Sequence, residues 1–142
     1  MQKFIDFIIT QKCTYNCSYC SQSKSCVNDK MSATTKTIDS FIKFLDKITS
    51  DFEITITGGE AILHPFFTKL ISRVNEKGFK INLITNFSFD IKTYIKIFDL
   101  LKNNLNIYDI SFHLDEIKNF DETLIKLDEF IHFKPDNTKL RF

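Results

Sequence analysis

The sequence predicts an α/β protein on a parallel sheet, with about four complete strand-helix units and the start of a fifth strand. Two observations predict it. Hydrophobic periodicity switches between two and about 3.6 along the whole chain, and turn or capping residues stand where the period changes. The first strand runs from about Phe4 to Thr10. After a cysteine-bearing loop, Ser32 is placed to cap a helix whose apolar stripe is Ile38, Phe41, Ile42, Leu45 and Ile48. "FEITITGG" is the second strand. Pro65 suits the first turn of a second helix, with Phe66, Phe67, Leu70, Ile71 and Val74 inward and Gly78 just past its end. "FKINLITN" follows as strand three, and Asp90 caps a third helix with Ile91, Tyr94, Ile95, Phe98 and Leu101 inward. "IYDISFHLD" reads as strand four, Glu122 to Phe133 as a fourth helix, and "TKLRF" beyond the "KPDN" turn as the fifth strand.

Strict alternation implies right-handed crossovers with helices packed outside the sheet. Periodicity alone leaves two architectures open, a partial (βα) barrel and an open doubly wound sheet. Residues two apart share a strand face. Asp6 with Thr10, Thr55 with Thr57, Asn82 with Asn86, and Ser111 with His113 and Asp115 therefore form polar faces opposite apolar ones. If the apolar faces receive the helices, the polar residues point into a wet or ligand-filled lumen. The alternative is a few mutually satisfied polar residues in an open sheet, since a slip of one residue exchanges the faces.

Composition narrows the function classes. A chain of 142 residues builds a core without covalent staples. The run "MQKFIDFIITQKC" is broken by Asp6 and lacks a small-residue cleavage site, so no secretory signal is read there. No stretch approaches the ~18 apolar residues of a membrane helix. The expected compartment is a reducing cytoplasm, where clustered cysteines bind metal or do redox chemistry rather than pair as disulfides. Nineteen basic and eighteen acidic residues give a net charge of +1, which offers no footprint for a nucleic-acid backbone. Sixteen phenylalanines and 43% hydrophobic residues describe a folded chain.

Ligands of parallel α/β folds sit at the carboxyl ends of the strands, and the unusual segments all fall there. Cys13, Cys17 and Cys20 follow strand one; Gly58, Gly59 and Glu60 follow strand two; Thr85 and Asn86 close strand three; His113 and Asp115 close strand four. Their convergence points to one site. A closed structural zinc site needs four ligands, and the only candidate fourth is Cys26, which reads as a bystander. Three thiolates on an iron-sulfur cubane leave one iron open to a substrate or cofactor; zinc binding stays open as the alternative. Among the histidines, His113 belongs with the rim, His64 reads as a local cap or surface residue, and His132 as a partner of a helix dipole. No residue is assigned a catalytic role.

The C-x3-C-x2-C loop after strand one, with Tyr19 before its last cysteine, resembles the signature of the radical S-adenosylmethionine (radical SAM) enzymes, and "TGGEAILHP" resembles that family's Gly-Gly-Glu segment. Ala61 departs from the family's common proline, which affects loop stiffness more than ligation. The resemblance implies a partial barrel in which Cys13, Cys17 and Cys20 hold a 4Fe-4S cluster. It places Tyr19 near the adenine of S-adenosyl-L-methionine, Gly58, Gly59 and Glu60 at its methionine end, and Asn86, Ser111 and His113 among its contacts. It further implies reductive cleavage of that cofactor to a 5'-deoxyadenosyl radical, hydrogen abstraction from a peptide or small metabolite, and a flavodoxin or ferredoxin type electron donor. Residues 1–142 correspond to a core domain that stops short of the family's six units. That reading leaves three possibilities: a fragment, a short natural member, or a chain completed by a partner or by self-association. The competing function is a non-catalytic iron-sulfur or zinc-binding module acting with a partner. Neither nucleic acid nor membrane is implied as a partner.

Overall fold

The computed structural model describes residues 3–20, 31–101 and 104–142. Five strands, β1 (Lys3–Thr10), β2 (Phe52–Gly58), β3 (Lys80–Thr85), β4 (Leu105–Ile110) and β5 (Lys139–Arg141), alternate with four helices, α1 (Thr35–Leu45), α2 (Phe67–Glu76), α3 (Ile91–Leu101) and α4 (Phe120–Phe133). Every pairing is parallel, and the strand order is β1-β2-β3-β4-β5. That order decides between the two architectures. A doubly wound sheet reverses its growth at a switch point and sends helices to both faces. Right-handed crossovers that always step to the next strand keep every helix on one face. Growth never reverses here, and α1 touches α2, α2 touches α3, and α3 touches α4 in turn. The fold is a partial (βα) barrel whose sheet is open at β1 and β5 among the described residues. No helix in this part of the chain is long and apolar enough to cross a membrane.

Local chemistry explains the element ends. The cap of α1 is Thr34, whose hydroxyl accepts from the Thr37 N–H at 3.1 Å; Ser32 instead shares a 2.6 Å hydrogen bond with the Thr10 hydroxyl. A 3-10 turn at Ala61–Leu63 delays α2 until Phe67, two residues after Pro65. Gly78 stops it with φ of 77°, the left-handed conformation glycine adopts without strain. Asp90 accepts from the Thr93 N–H at 2.8 Å at the start of α3, and Asn119 caps α4 by accepting from the Glu122 N–H at 3.2 Å.

The two sheet faces differ as their sequence pattern requires. Ile54, Ile56, Ile81, Leu83, Tyr108 and Ile110 lie buried in the core shared with the helices. There Phe130 of α4 meets Phe87, Tyr94, Phe98 and Tyr108 with ring centroids 4.8 to 5.6 Å apart. The opposite face presents Asp6, Glu53, Thr55, Thr57, Asn82 and Asp109 to a cavity of about 360 Å³. The side-chain amide of Asn82 donates to Glu53 at 3.1 Å, that of Asn106 donates to Asn82 at 3.0 Å, and Arg141 pairs with Asp109. Mutual satisfaction and an open lumen thus coexist on one face.

Three face assignments need correction. A bulge between Ile8 and Thr10 takes Thr10 out of register with Asp6. Asn86 lies past the end of β3. The fourth strand stops at Ile110, so Ser111, His113 and Asp115 have no common strand face. The Ser111 N–H bonds the Thr85 carbonyl at 2.9 Å, and the backbone then turns into a 3-10 segment at Leu114–Glu116.

Candidate functional site

The cysteine loop leaves β1 at Thr10 and is fastened at once to the end of β2. The Gly59 N–H donates to the Thr10 carbonyl and the Glu60 N–H to the Lys12 carbonyl, each at 2.8 Å. This approach is closer than a side chain allows. A Cβ on Gly58 would stand 2.3 Å from the Thr10 carbonyl oxygen, and one on Gly59 would stand 2.5 Å from those of Gln11 and Lys12. Backbone packing therefore demands both glycines before any ligand is considered. The return of the chain is pinned as well. The Ala33 N–H donates to the Ile9 carbonyl at 2.7 Å, and His64 Nε2 donates to the Ala33 carbonyl at 2.9 Å while Nδ1 accepts from the Phe66 N–H at 3.2 Å. His64 is buried, so its place is this brace and not the surface.

Glu60 is also buried, with none of its surface exposed. Its Oε2 accepts from the Thr85 hydroxyl and the Asn86 N–H, both at 2.8 Å, and its Oε1 accepts from the Ile62 N–H at 3.2 Å. Burial pushes its carboxyl above the ordinary range, against the pull of these donors. The carboxylate ties the end of β2 to the end of β3 and stays off the cysteine cavity. Asn86 relays that tie to the cysteine loop. Its Oδ1 accepts from the Ser88 N–H at 3.1 Å, and its Nδ2 donates to Thr14 Oγ1 at 2.8 Å and to Cys13 Sγ at 3.3 Å.

These braces surround a cavity of about 200 Å³ lined by Cys13, Cys17, Cys20, Gly58, Gly59, Asn86, Ser111 and His113, together with Tyr15, Ile84 and Thr85. Ile84 also lines the larger cavity on the inner sheet face, so the two spaces adjoin. Cys17 is buried at 6% exposure, and burial pushes its thiol up; Cys13 and Cys20 are half-buried. Cys13 Sγ accepts a second, longer contact from the Tyr15 N–H at 3.5 Å. Tyr19 stands exposed at the edge, its hydroxyl 3.0 Å from His113 Nδ1 and its ring stacked on the imidazole with centroids 5.9 Å apart.

The structure thus gathers eight of the ten sequence-predicted site residues on one cavity. Tyr19 reaches it through His113 and through a side-chain hydrogen bond with Cys17, and Glu60 acts from behind. Asp115 is exposed on the 3-10 turn away from it, and Cys26 lies outside the described residues. Three contributors were missed. Tyr15 was visible between Cys13 and Cys17. Thr14, and Glu116, which accepts from the Asn16 N–H at 3.3 Å, carry no signal beyond a polar residue in a loop. The donor set suits an iron-sulfur cluster, since three thiols share one cavity beside few competing oxygen ligands. Among the described residues no three Cys, His, Asp or Glu side chains already stand as a metal-binding group.

A parallel partial barrel with three thiols gathered on one cavity at the carboxyl rim is an α/β protein with a candidate cofactor site. Comparison with known proteins makes the class specific: the chain belongs to the radical SAM superfamily, whose family model matches residues 7–124. Members of that superfamily use a 4Fe-4S cluster and S-adenosylmethionine. A curated relative, an S-adenosylmethionine-dependent nucleotide dehydratase of Selenomonas ruminantium, is 33% identical over 82 residues, which make up 58% of this chain and 29% of that protein. The crystal structure of BtrN in complex with AdoMet and 2-DOIA shares the fold at a TM-score of 0.74 and 14% identity, over 99% of this chain and 56% of that one. The chain therefore spans about half or less of the length of the proteins it resembles.

Proposed function

We propose that Cys13, Cys17 and Cys20 hold a 4Fe-4S cluster with one iron free of protein thiolate, and that S-adenosylmethionine bound there supplies, on one-electron reduction, the 5'-deoxyadenosyl radical that takes hydrogen from a substrate. The chain's own part is to bind, orient and exclude water. The three thiols lose their protons as they take metal. The N–H groups of Gly59 and Glu60 are already spent on Thr10 and Lys12. That segment therefore favours an ammonium over a carboxylate as its ligand, which fits the amino end of the cofactor's methionine. The paired Tyr19 and His113 form one lip of the cavity, with a tyrosine face able to stack on a flat base such as adenine. Substrate, a peptide or small metabolite, is assigned to the adjoining inner face of the sheet, with no catalytic side chain named.

A flavodoxin or ferredoxin type donor in a reducing compartment such as the cytoplasm supplies the electron. Further sheet, from a longer chain, a partner or a second copy, extends the barrel at its open edges. The observation that carries the reading is the convergence of three thiols, two tightly packed glycines, Asn86, Ser111 and His113 on one cavity. The test is anaerobic iron-sulfide reconstitution, followed by electron paramagnetic resonance of the dithionite-reduced protein with and without S-adenosylmethionine, and an assay for 5'-deoxyadenosine. A cubane signal that shifts with the cofactor, with 5'-deoxyadenosine formed, supports the proposal. Zinc in place of iron, or a cluster indifferent to the cofactor, overturns it in favour of a non-catalytic metal module. Loss of iron in Cys26→Ala overturns the open-iron assignment.

A further inference from the structure

We propose that Asn86 sets the reduction potential of the cluster through a hydrogen bond to Cys13, an inference that rests on the function proposed above. Cys13 Sγ accepts from two N–H groups, the Tyr15 backbone at 3.5 Å and Asn86 Nδ2 at 3.3 Å. Only the second comes from a side chain. Its orientation is fixed by chemistry: the Ser88 N–H can bond only to an oxygen, so it holds Oδ1 and leaves the NH2 group to face Cys13 and Thr14. Asn86 is 5% exposed and its own N–H is gripped by the buried Glu60, so the amide has little freedom to turn away and water has little access to take its place.

Reduction adds negative charge to a cluster and its thiolate sulfurs. An N–H aimed at one of those sulfurs stabilises the reduced form more than the oxidised one and raises the potential. Asn86 thereby eases entry of the single electron from the low-potential donor. Glu60, buried behind it, is a positioning residue for the same bond.

The test compares wild type, Asn86→Ala, Asn86→Asp and Thr14→Val after reconstitution, by redox titration read with electron paramagnetic resonance and by pulsed resonance in D2O for exchangeable hydrogens near the cluster. Asn86→Ala is expected to disfavour reduction about tenfold, a fall of about 59 mV for one electron, and to lose one exchangeable coupling. Asn86→Asp, of equal shape but without the donor, falls at least as far and carries the test if the alanine variant does not take up iron. Thr14→Val removes the amide's other partner and leaves the potential near that of wild type. A reconstituted wild type with unchanged potential and coupling in both Asn86 variants overturns this inference alone. A shift in Thr14→Val as large as in Asn86→Ala also overturns it, since loop order would then be the cause. A wild type that takes no cluster overturns the proposed function with it.

Discussion

Replacing Gly59 with alanine tests whether the glycine pair serves the ligand or the protein itself. The added Cβ would lie 2.5 Å from the carbonyl oxygens of both Gln11 and Lys12 and 2.8 Å from the Lys12 carbonyl carbon. All three are backbone atoms, so no side chain can swing aside. Reaching even 3.0 Å requires the cysteine loop to retreat from β2 by about half an ångström, and that retreat stretches the two 2.8 Å bonds joining Gly59 to Thr10 and Glu60 to Lys12. Losing both costs about 0.5–1.5 kcal/mol each, and overpacking adds about 1–3 kcal/mol. The sum, roughly 2–6 kcal/mol, is large against a total stability of about 5–15 kcal/mol. Urea denaturation of the metal-free protein, followed by far-ultraviolet circular dichroism, reads it directly. Gly78→Ala is the control: nothing lies within 4 Å of its Cβ position, so only the positive φ is penalised, at about 1 kcal/mol. If metal-free Gly59→Ala unfolds within about 0.5 kcal/mol of wild type, ordinary surface-substitution territory, the packing argument is wrong and the glycine exists for ligand approach alone.

Three further outcomes are expected. Phe130→Ala removes a fully buried ring at the meeting point of four others and should cost about 3–5 kcal/mol in urea or thermal unfolding; a loss under about 1 kcal/mol would mean α4 is not docked as described. Glu60→Gln should change the pH dependence of stability. Because the native carboxyl titrates above its ordinary 4.5, the folded state holds its proton more tightly than the unfolded state. Wild-type stability from this group is therefore full below the unfolded value and declines as pH rises through the native one. The glutamine variant has no such slope, so the stability difference between the two proteins should drift in the glutamine variant's favour as pH is raised from about 4 to 7; a constant difference contradicts the burial argument. Thr34→Ala removes the cap of α1, whose hydroxyl holds the Thr37 N–H at 3.1 Å, and should cost about 1 kcal/mol in the same unfolding assay.

Much of the fold was legible because the physics of each element is local. Alternating apolar residues in "FEITITGG" and the i, i+3, i+4 stripe of Phe67, Leu70, Ile71 and Val74 state which face is buried without reference to the rest of the chain. What escaped depends on atoms distant in sequence. Ser32 is the better cap by residue type, yet the Thr10 hydroxyl, 22 residues away, engages it and Thr34 caps the helix instead. The "SFHLD" stretch alternates like a strand, yet β4 ends before it, because after Ser111 the backbone turns and the Glu116 N–H closes onto the His113 carbonyl at 2.9 Å. His64 beside a proline reads as a local cap or a surface residue; the cap holds, since Nδ1 accepts from the Phe66 N–H, and only the return of the chain at Ala33 gives its imidazole a buried partner.

The site follows the same division, and the division says where its rigidity comes from. Cysteine spacing announces the ligands because the ligands sit on one loop. What holds that loop does not sit on it: the carbonyls of Thr10 and Lys12 are clamped by N–H groups from the end of β2, and Asn86 reaches in from the end of β3 under the grip of Glu60. Glutamate in a Gly-Gly-Glu segment invites a direct role toward the cofactor, yet here it is not among the residues that line the cavity, and its carboxylate spends its acceptors on Thr85, Asn86 and Ile62. A buried carboxylate with three donors cannot rotate out to a ligand without leaving those donors unpaired, at about 1–3 kcal/mol each. Its contribution is therefore made in advance, by fixing two strand ends and one amide before any cofactor arrives. One of the three thiols, Cys13, is already held by that amide at 3.3 Å.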